Sequence, residues 1–169
     1  TKSVIDVQVL QSFEGLRPEE HIKCMAEHIL SLLGNQNVGS LSIVLVDDGT
    51  IRGLNKYHRG LDENTDVLSF SFSHEGEYYG DGAPQAKWAK EDKFSMPPGE
   101  SAILGEVIIS CSEVEREALG SGYSTNKVLA KLLIHGVLHL LGYDHQEPVE
   151  ESMMKEQETR LLAQVYKHE

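Results

Sequence analysis

Three histidines in the C-terminal part of the chain have the spacing of a metal site. His135 and His139 are four residues apart in the stretch HGVLHLLGYDH, and His145 ends that stretch. Residues four apart on a helix project from one face, so two neutral imidazoles here could bind the same metal ion. Gly142 lies between the pair and His145, and glycine readily adopts the left-handed conformation that ends a helix. The turn could therefore return His145 to the same ion.

Three histidine ligands predict a catalytic metal rather than a structural one. They leave the fourth tetrahedral position of a zinc ion open for water. One Zn²⁺ ion is the expected cofactor, although Ni, Co and Cu also suit imidazole ligands. A cysteine-rich structural site is excluded because Cys24 and Cys111 are both distant from this stretch in the sequence. The alternative is that these histidines pack or face solvent without a metal.

The same spacing matches the H-E-x-x-H-x-x-G-x-x-H motif of metzincin proteases. The second residue of that motif is the glutamate that serves as general base. In this chain the second residue is Gly136. We therefore expect a zincin-like metal helix that lacks the proteolytic base. A metalloprotease stays open as an alternative function.

The elements that must position the histidines can be predicted from hydrophobic periodicity. Short β-branched or alternating runs predict four strands, at 5–9, 40–46, 66–72 and 105–110. Apolar residues at helical spacing predict five helices. The first covers 18–33 and the last about 147–166. The second is capped by Asp47 or Asp48 and has Ile51, Leu54 and Tyr57 inward, the third is capped by Ser112, and the fourth is capped by Ser124. Strands interleaved with helices favour an α+β fold, with a mixed sheet of about four strands and helices packed on it.

The stretch 74–100 differs from the rest of the chain. It contains four glycines and three prolines and shows no hydrophobic period. A structureless loop longer than about 15 residues is uncommon and is usually functional or mobile. A chain of 169 residues is close to the usual size of one domain. We therefore predict a single domain over 1–169 with a mobile insertion at 74–100.

Composition and charge limit the classes of function. The chain is 40% hydrophobic and 25% charged, which is ordinary for a globular protein. Its net charge of −12 argues against generic, charge-driven binding of nucleic acid. The segment 52–59 nevertheless carries only basic charges, and Arg52, Lys56 and Arg59 share a helix face. This face could form one wall of an RNA groove or could simply be solvated.

Cysteine content and hydropathy predict the compartment. Two cysteines cannot form a disulfide scaffold in a chain of this length, so we expect Cys24 and Cys111 to be reduced and buried. The sequence has no apolar run of about 20 residues that could span a membrane, and its start lacks the pattern of a signal peptide. A cytoplasmic protein, bacterial by default or organellar, is the expectation.

Three motifs together resemble the YbeY family of metal-dependent endoribonucleases. They are NTDVLSFSF at 64–72, LGEVIIS at 104–110 and HGVLHLLGYDH at 135–145. The likeness extends from about residue 47 to residue 145 and is interrupted by 74–100, where family members often have a shorter connection. The last motif is highly specific, because it combines a helical histidine pair, a glycine and a third histidine in one order.

The resemblance implies both a site and a function. It implies His135, His139 and His145 as metal ligands and Arg59, in LNKYHRG, as the functional arginine. The implied activity is a single-strand-directed endoribonuclease in ribosomal RNA maturation and ribosome quality control. The implied partners are ribosomal RNA, the small ribosomal subunit or its proteins, and an assembly GTPase. Neither DNA nor a membrane is expected as a partner.

Phosphodiester hydrolysis explains why these residue types would be needed. A metal lowers the pKa of bound water towards about 7 or polarises a phosphoryl oxygen. Arg59 would neutralise charge on phosphate, because guanidinium binds phosphate in a bidentate manner and stays charged. Asp144 could support a ligand imidazole or relay a proton. His58, His74 and Glu106 are possible general bases. A non-catalytic ribosome-assembly factor with a structural metal is a further alternative.

Overall fold

A computed structural model of the chain describes residues 4–13, 15–16, 18–34, 40–71, 78–79, 103–143 and 147–166. Five strands and five helices occur in these ranges. Their order is β1 (Val4–Val9), α1 (Glu19–Leu32), β2 (Ser40–Val46), α2 (Asp48–Arg59), β3 (Val67–Ser71), β4 (Tyr78–Tyr79), β5 (Ile103–Ser110), α3 (Cys111–Ser121), α4 (Thr125–Leu140) and α5 (Pro148–Val165). Each of the four predicted strands is present, with ends within two residues of the predicted ones.

The strands form one mixed sheet in the order β1-β2-β5-β3-β4. Strands β1, β2 and β5 are parallel, whereas β3 is antiparallel to both β5 and β4. The predicted α+β fold with a mixed sheet is confirmed. The prediction of about four strands omitted β4, a two-residue strand that lies within 74–100. The rest of the predicted insertion, residues 74–77 and 80–100, lies outside the described residues.

Helices cover both faces of the sheet and divide the core into two clusters. Successive strand residues point to opposite faces. Val107 and Ile109 of β5 therefore join the larger cluster, which includes apolar residues of α1, α3, α4 and α5. Ile108 joins the smaller cluster, which packs against Ile51 and Leu54 of α2. The sheet thus separates α2 from α4, the helix that carries the histidine pair.

Three local predictions were wrong. Helix α3 is capped by Ser110 rather than Ser112, because β5 runs into α3 without a loop and the Ser110 hydroxyl accepts a hydrogen bond from Glu113 N–H at 3.3 Å. Tyr57 is 82% exposed, since it projects about 120° away from the buried stripe of α2. Cys24 is also exposed, because the neighbouring residue of α1, Met25, occupies the inward position. Cys111 is buried, as predicted.

Two predicted helix N-caps are confirmed. Asp47 caps α2 by accepting a hydrogen bond from Thr50 N–H at 2.7 Å. Ser124 caps α4 by accepting one from Lys127 N–H at 3.1 Å. Within the described residues, none of the helices has both the length and the apolar character needed to cross a membrane.

Asp48 joins the start of α2 to α3. Its carboxylate lies 2.8 and 3.0 Å from Nη2 of Arg116 and accepts a hydrogen bond from Ser110 at 3.1 Å. The hydrogen bond from Arg116 is the main cause that holds the pKa of Asp48 below its ordinary value of 3.8. A carboxyl group whose pKa is lower in the folded state stabilises the fold above the unfolded-state pKa, and this contribution is lost as pH falls through the folded-state pKa.

We therefore expect Asp48→Asn to lower the urea midpoint at pH 7 and to lower it less at pH 3, below the unfolded-state pKa. Urea unfolding at both pH values measures this. Asp6→Asn, at an exposed position of β1, is the matched control and should leave both midpoints unchanged. An equal loss at both pH values for Asp48→Asn would show that the carboxylate charge is not the stabilising feature.

Candidate metal centre

Helix α4 ends near Gly142, as the position of this glycine after the histidine pair predicts. Gly142 has φ 99° and donates its N–H to the carbonyl of His139 at 3.0 Å. The N–H of Tyr143 donates to the carbonyl of Leu138, also at 3.0 Å. These two hydrogen bonds form a Schellman motif, in which a left-handed residue closes the helix and reverses the chain. The chain therefore reverses at Gly142, three residues after His139.

His135 and His139 face each other on α4. Their Nε2 atoms are 3.1 Å apart, and their rings meet edge to face with centroids 4.6 Å apart. Two nitrogens bound at 2.0–2.1 Å to one tetrahedral zinc ion would lie about 3.3 Å apart. His139 is only 2% exposed. The distance between the two Nε2 atoms therefore fits two ligands of one ion.

A carboxylate from α5 supports the pair. Oε1 of Glu158 lies 3.0 Å from Nδ1 of His135, and the two side chains are 24% and 18% exposed. Sequence reasoning did not single out Glu158, and Asp144, which was given this supporting role, lies outside the described residues. The sequence nevertheless contains a pattern that could have identified Glu158. Glu158 lies four residues after Met154 and three before Leu161, both of which are buried, so it lies on the inward stripe of α5.

Gly136 lies where α4 meets the sheet. A Cβ atom at this position would be 2.7 Å from Cγ1 of Val107 and 3.1 Å from the hydroxyl of Ser69. That hydroxyl also donates a hydrogen bond to the carbonyl of Gly136 at 3.2 Å. The position that carries the general base in metzincins is thus turned into the sheet here, and it has no space for a side chain.

Arg59 is the last residue of α2 and lies beyond the opposite face of the sheet from α4. Its side chain is half-buried, and Gly60 ends the helix with φ 74°. Two neighbouring residues of β3 contact the two helices, one on each face of the sheet. Phe70 lies with its ring centroid 4.7 Å from that of His58, and Ser69 bonds Gly136 of α4. Both helices therefore contact β3 at neighbouring residues. The role of Arg59 towards phosphate stays a prediction.

The basic face of α2 is partly neutralised. Nε of Arg52 lies 2.8 Å from a carboxylate oxygen of Asp62, and both side chains are more than half exposed. The pKa of Asp62 is lowered by the hydrogen bond and charge of Arg52. One of the three aligned cations is thus compensated locally, which reduces the charge that this face could offer to RNA.

Two of the three possible general bases, His58 and Glu106, lie on the α2 side of the sheet, as Arg59 does. Burial lowers the pKa of His58 and raises the pKa of Glu106, the latter opposed by a hydrogen bond with Ser42. Glu106 pairs with Phe70 across the sheet, so both lie on the α2 side. His74 lies outside the described residues.

The described residues contain two of the three predicted metal ligands. In the part of the chain that is described, no three His, Cys, Asp or Glu side chains are grouped so that they could hold a metal ion. His145, the predicted third ligand, lies outside the described residues. Its role as a ligand stays a prediction that the reversal at Gly142 supports.

Comparisons with known proteins give a consistent result. A family model described as Endoribonuclease YbeY matches residues 8–166. A curated relative of that name from Dehalococcoides mccartyi is 42% identical over 151 residues, covering 89% of this chain and 89% of the relative. Another, from Symbiobacterium thermophilum, is 42% identical over 148 residues, covering 86% and 85%. A solution structure from Thermotoga maritima, 23% identical, matches with a TM-score of 0.57 over 97% of this chain and 90% of that one, which supports the fold.

Proposed function

The chain belongs to the YbeY endoribonuclease family, and from this premise we propose that it is a zinc-dependent endoribonuclease that cleaves single-stranded regions of ribosomal RNA. The observation that carries the proposal is the pair of Nε2 atoms of His135 and His139, 3.1 Å apart. We place the activity in ribosomal RNA maturation and ribosome quality control in a bacterial cytoplasm.

His135, His139 and His145 would hold the zinc ion. When bound, zinc supplies positive charge that polarises a phosphoryl oxygen or makes water acidic enough to serve as nucleophile near neutral pH. The protein's own contribution is preorganisation. The core around α4 buries His139 and fixes its position. The Schellman motif ends α4 and reverses the chain at Gly142.

Arg59 would bind and neutralise the phosphate. Phosphodiester cleavage increases negative charge on phosphate oxygens, and a fixed guanidinium stabilises that charge more in the transition state than in the ground state. The left-handed Gly60 and the contact between His58 and Phe70 fix the end of α2 on which Arg59 lies. Arg59 therefore starts from an ordered backbone rather than from a loop.

Ribosomal partners would supply much of the affinity for RNA. A net charge of −12 provides little counterion-release binding, and Arg52 of the basic face is paired with Asp62. We propose that the small ribosomal subunit or its proteins, together with an assembly GTPase, position the RNA at the site. Tight, sequence-independent binding of isolated RNA at physiological salt would contradict this.

The function is tested by comparing purified wild type, Arg59→Ala and Arg160→Ala on single-stranded and structured RNA, with zinc content measured. Arg59→Ala should retain zinc and lose about 10²-fold in cleavage rate, because it removes one charged group that stabilises the transition state. Arg160→Ala is the control for loss of a cation, since Arg160 is exposed and bonds Gln157 on α5. It should cleave as wild type does.

Two outcomes would reject the proposal. Equal cleavage by all three proteins would identify a contaminating ribonuclease. A wild type that cleaves no RNA, yet loses thermal stability on chelation, would indicate instead a non-catalytic assembly factor with a structural metal.

A further inference from the structure

We propose that Glu158 is a positioning residue for the metal centre: its carboxylate sets the tautomer and the ring orientation of His135, so that Nε2 of His135 faces Nε2 of His139. This inference rests on the proposed metal-dependent function. It goes beyond it by assigning a role to α5, a helix that carries none of the predicted ligands.

The hydrogen-bond chemistry defines the tautomer. An ionised carboxylate can only accept hydrogen bonds, so Nδ1 of His135 must carry the hydrogen that it shares with Glu158 over 3.0 Å. A neutral imidazole protonated at Nδ1 has a free lone pair at Nε2. That atom is the one 3.1 Å from Nε2 of His139. Glu158 thus presents the ligand atom of His135 on the correct side of the ring.

Core packing fixes the carboxylate. Met154 and Leu161 are buried at 1% and 0% exposure, and they flank Glu158 on the inward face of α5. Both belong to the cluster that contains the apolar residues of α4. The position of Glu158 is therefore set by well-packed neighbours rather than by a flexible loop, which is the condition for holding a ligand within a fraction of an ångström.

The other charged residues described near Glu158 pair with each other or are exposed, whereas Glu158 faces His135. Lys131, one helical turn before His135 on α4, forms an ion pair with Glu117 of α3. The other acids within α5, at 150, 151 and 156, are exposed, and Glu151 pairs with Lys155 at 3.0 Å. Glu158 differs from them in its burial and in its histidine partner. A role limited to surface charge or solubility does not explain this placement.

The test compares Glu158→Ala and Glu158→Gln with the matched changes at Glu156, an exposed residue of the same helix. Zinc affinity is measured by competition with a chromophoric chelator, and the tautomer of His135 is measured by imidazole ¹⁵N NMR of the metal-free protein. Glu158→Ala should weaken zinc binding 10- to 100-fold, the usual cost of losing such a supporting carboxylate. Glu158→Gln should weaken it less, because its amide oxygen can still accept the hydrogen bond. Both changes at Glu156 should leave affinity within twofold.

The NMR signal of His135 should change from the Nδ1–H form to a mixture in Glu158→Ala alone. Unchanged zinc affinity in Glu158→Ala, with a tautomer like that of wild type, would overturn the inference and leave the proposed function intact. A wild type that binds no zinc would overturn the proposed function, and the inference with it. Loss of melting temperature without loss of affinity would assign Glu158 a structural role only.

Discussion

His139→Ala is expected to remove stoichiometric zinc and to lower RNA cleavage by more than about 100-fold. The loss should exceed that of a supporting residue, which costs 10- to 100-fold, because His139 is itself a proposed ligand. The side chain is 2% exposed and its Nε2 lies 3.1 Å from that of His135, so water cannot easily take its place. Zinc per protein chain by atomic emission and the rate of single-stranded RNA cleavage measure the two effects.

The fold must survive for this result to be informative. Truncation of a buried side chain typically lowers stability by about 1–3 kcal/mol, so His139→Gln, which keeps most of the volume, serves as a second variant. His28→Ala removes an exposed histidine of α1 and is the matched control, with zinc content and cleavage unchanged. Full zinc content in both variants at His139, as judged on folded protein, would contradict the ligand assignment. Cleavage that persists after zinc is lost would contradict the catalytic role.

The features that the sequence predicts well are local ones. The histidine spacing, the ending of α4 at Gly142 and the caps at Asp47 and Ser124 depend on residues within one or two helical turns of each other. Such patterns can be interpreted without knowledge of the tertiary fold, because a helix fixes which neighbouring residues share a face. The Schellman turn at Gly142 was predictable for this reason.

The features that could not be predicted are the long-range ones. Glu158 meets His135 across 23 residues, and Ser69 meets Gly136 across 67. Both contacts depend on how α4 and α5 dock together and on the sheet, which a single sequence does not determine. The placement of Arg59 on the opposite side of the sheet from α4 also follows from strand order and register. The sequence indicates which residues could do chemistry, whereas the tertiary fold decides which of them meet.

The structure shows how the acidic residues of α5 are placed, and this placement limits what the negative charge of the chain implies for RNA binding. Helix α5 carries four glutamates against one lysine and one arginine, so it contributes −2 of the net charge of −12, and its exposed acids would repel RNA. Glu158 is turned inward to a proposed metal ligand, whereas Glu156 remains exposed. A bound Zn²⁺ would add two positive charges beside Glu158. Net charge therefore restricts nonspecific RNA binding without excluding a local phosphate site.

Gly136→Glu, which would complete the protease motif H-E-x-x-H, is expected to destabilise the fold strongly and to create no peptidase. Any Cβ at this position would lie 2.7 Å from Cγ1 of Val107, and such overpacking costs about 1–3 kcal/mol. The better helix propensity of a residue with a side chain returns only about 1 kcal/mol. A carboxylate forced against the apolar sheet adds several kcal/mol more.

The expected result is a melting temperature lowered by at least about 10 °C, since 1 kcal/mol shifts it by roughly 2–4 °C in a chain of this size, or failure to fold. Thermal melting of Gly136→Ala and Gly136→Glu measures the steric and the charge costs separately. Gly53→Ala and Gly53→Glu are the controls, because Gly53 lies in α2 with nothing within 4 Å of its Cβ position. Gly53→Ala should gain about 0.5–1 kcal/mol. If Gly136→Glu instead melts like wild type and cleaves peptides, α4 does not approach the sheet this closely, and the metalloprotease alternative regains support.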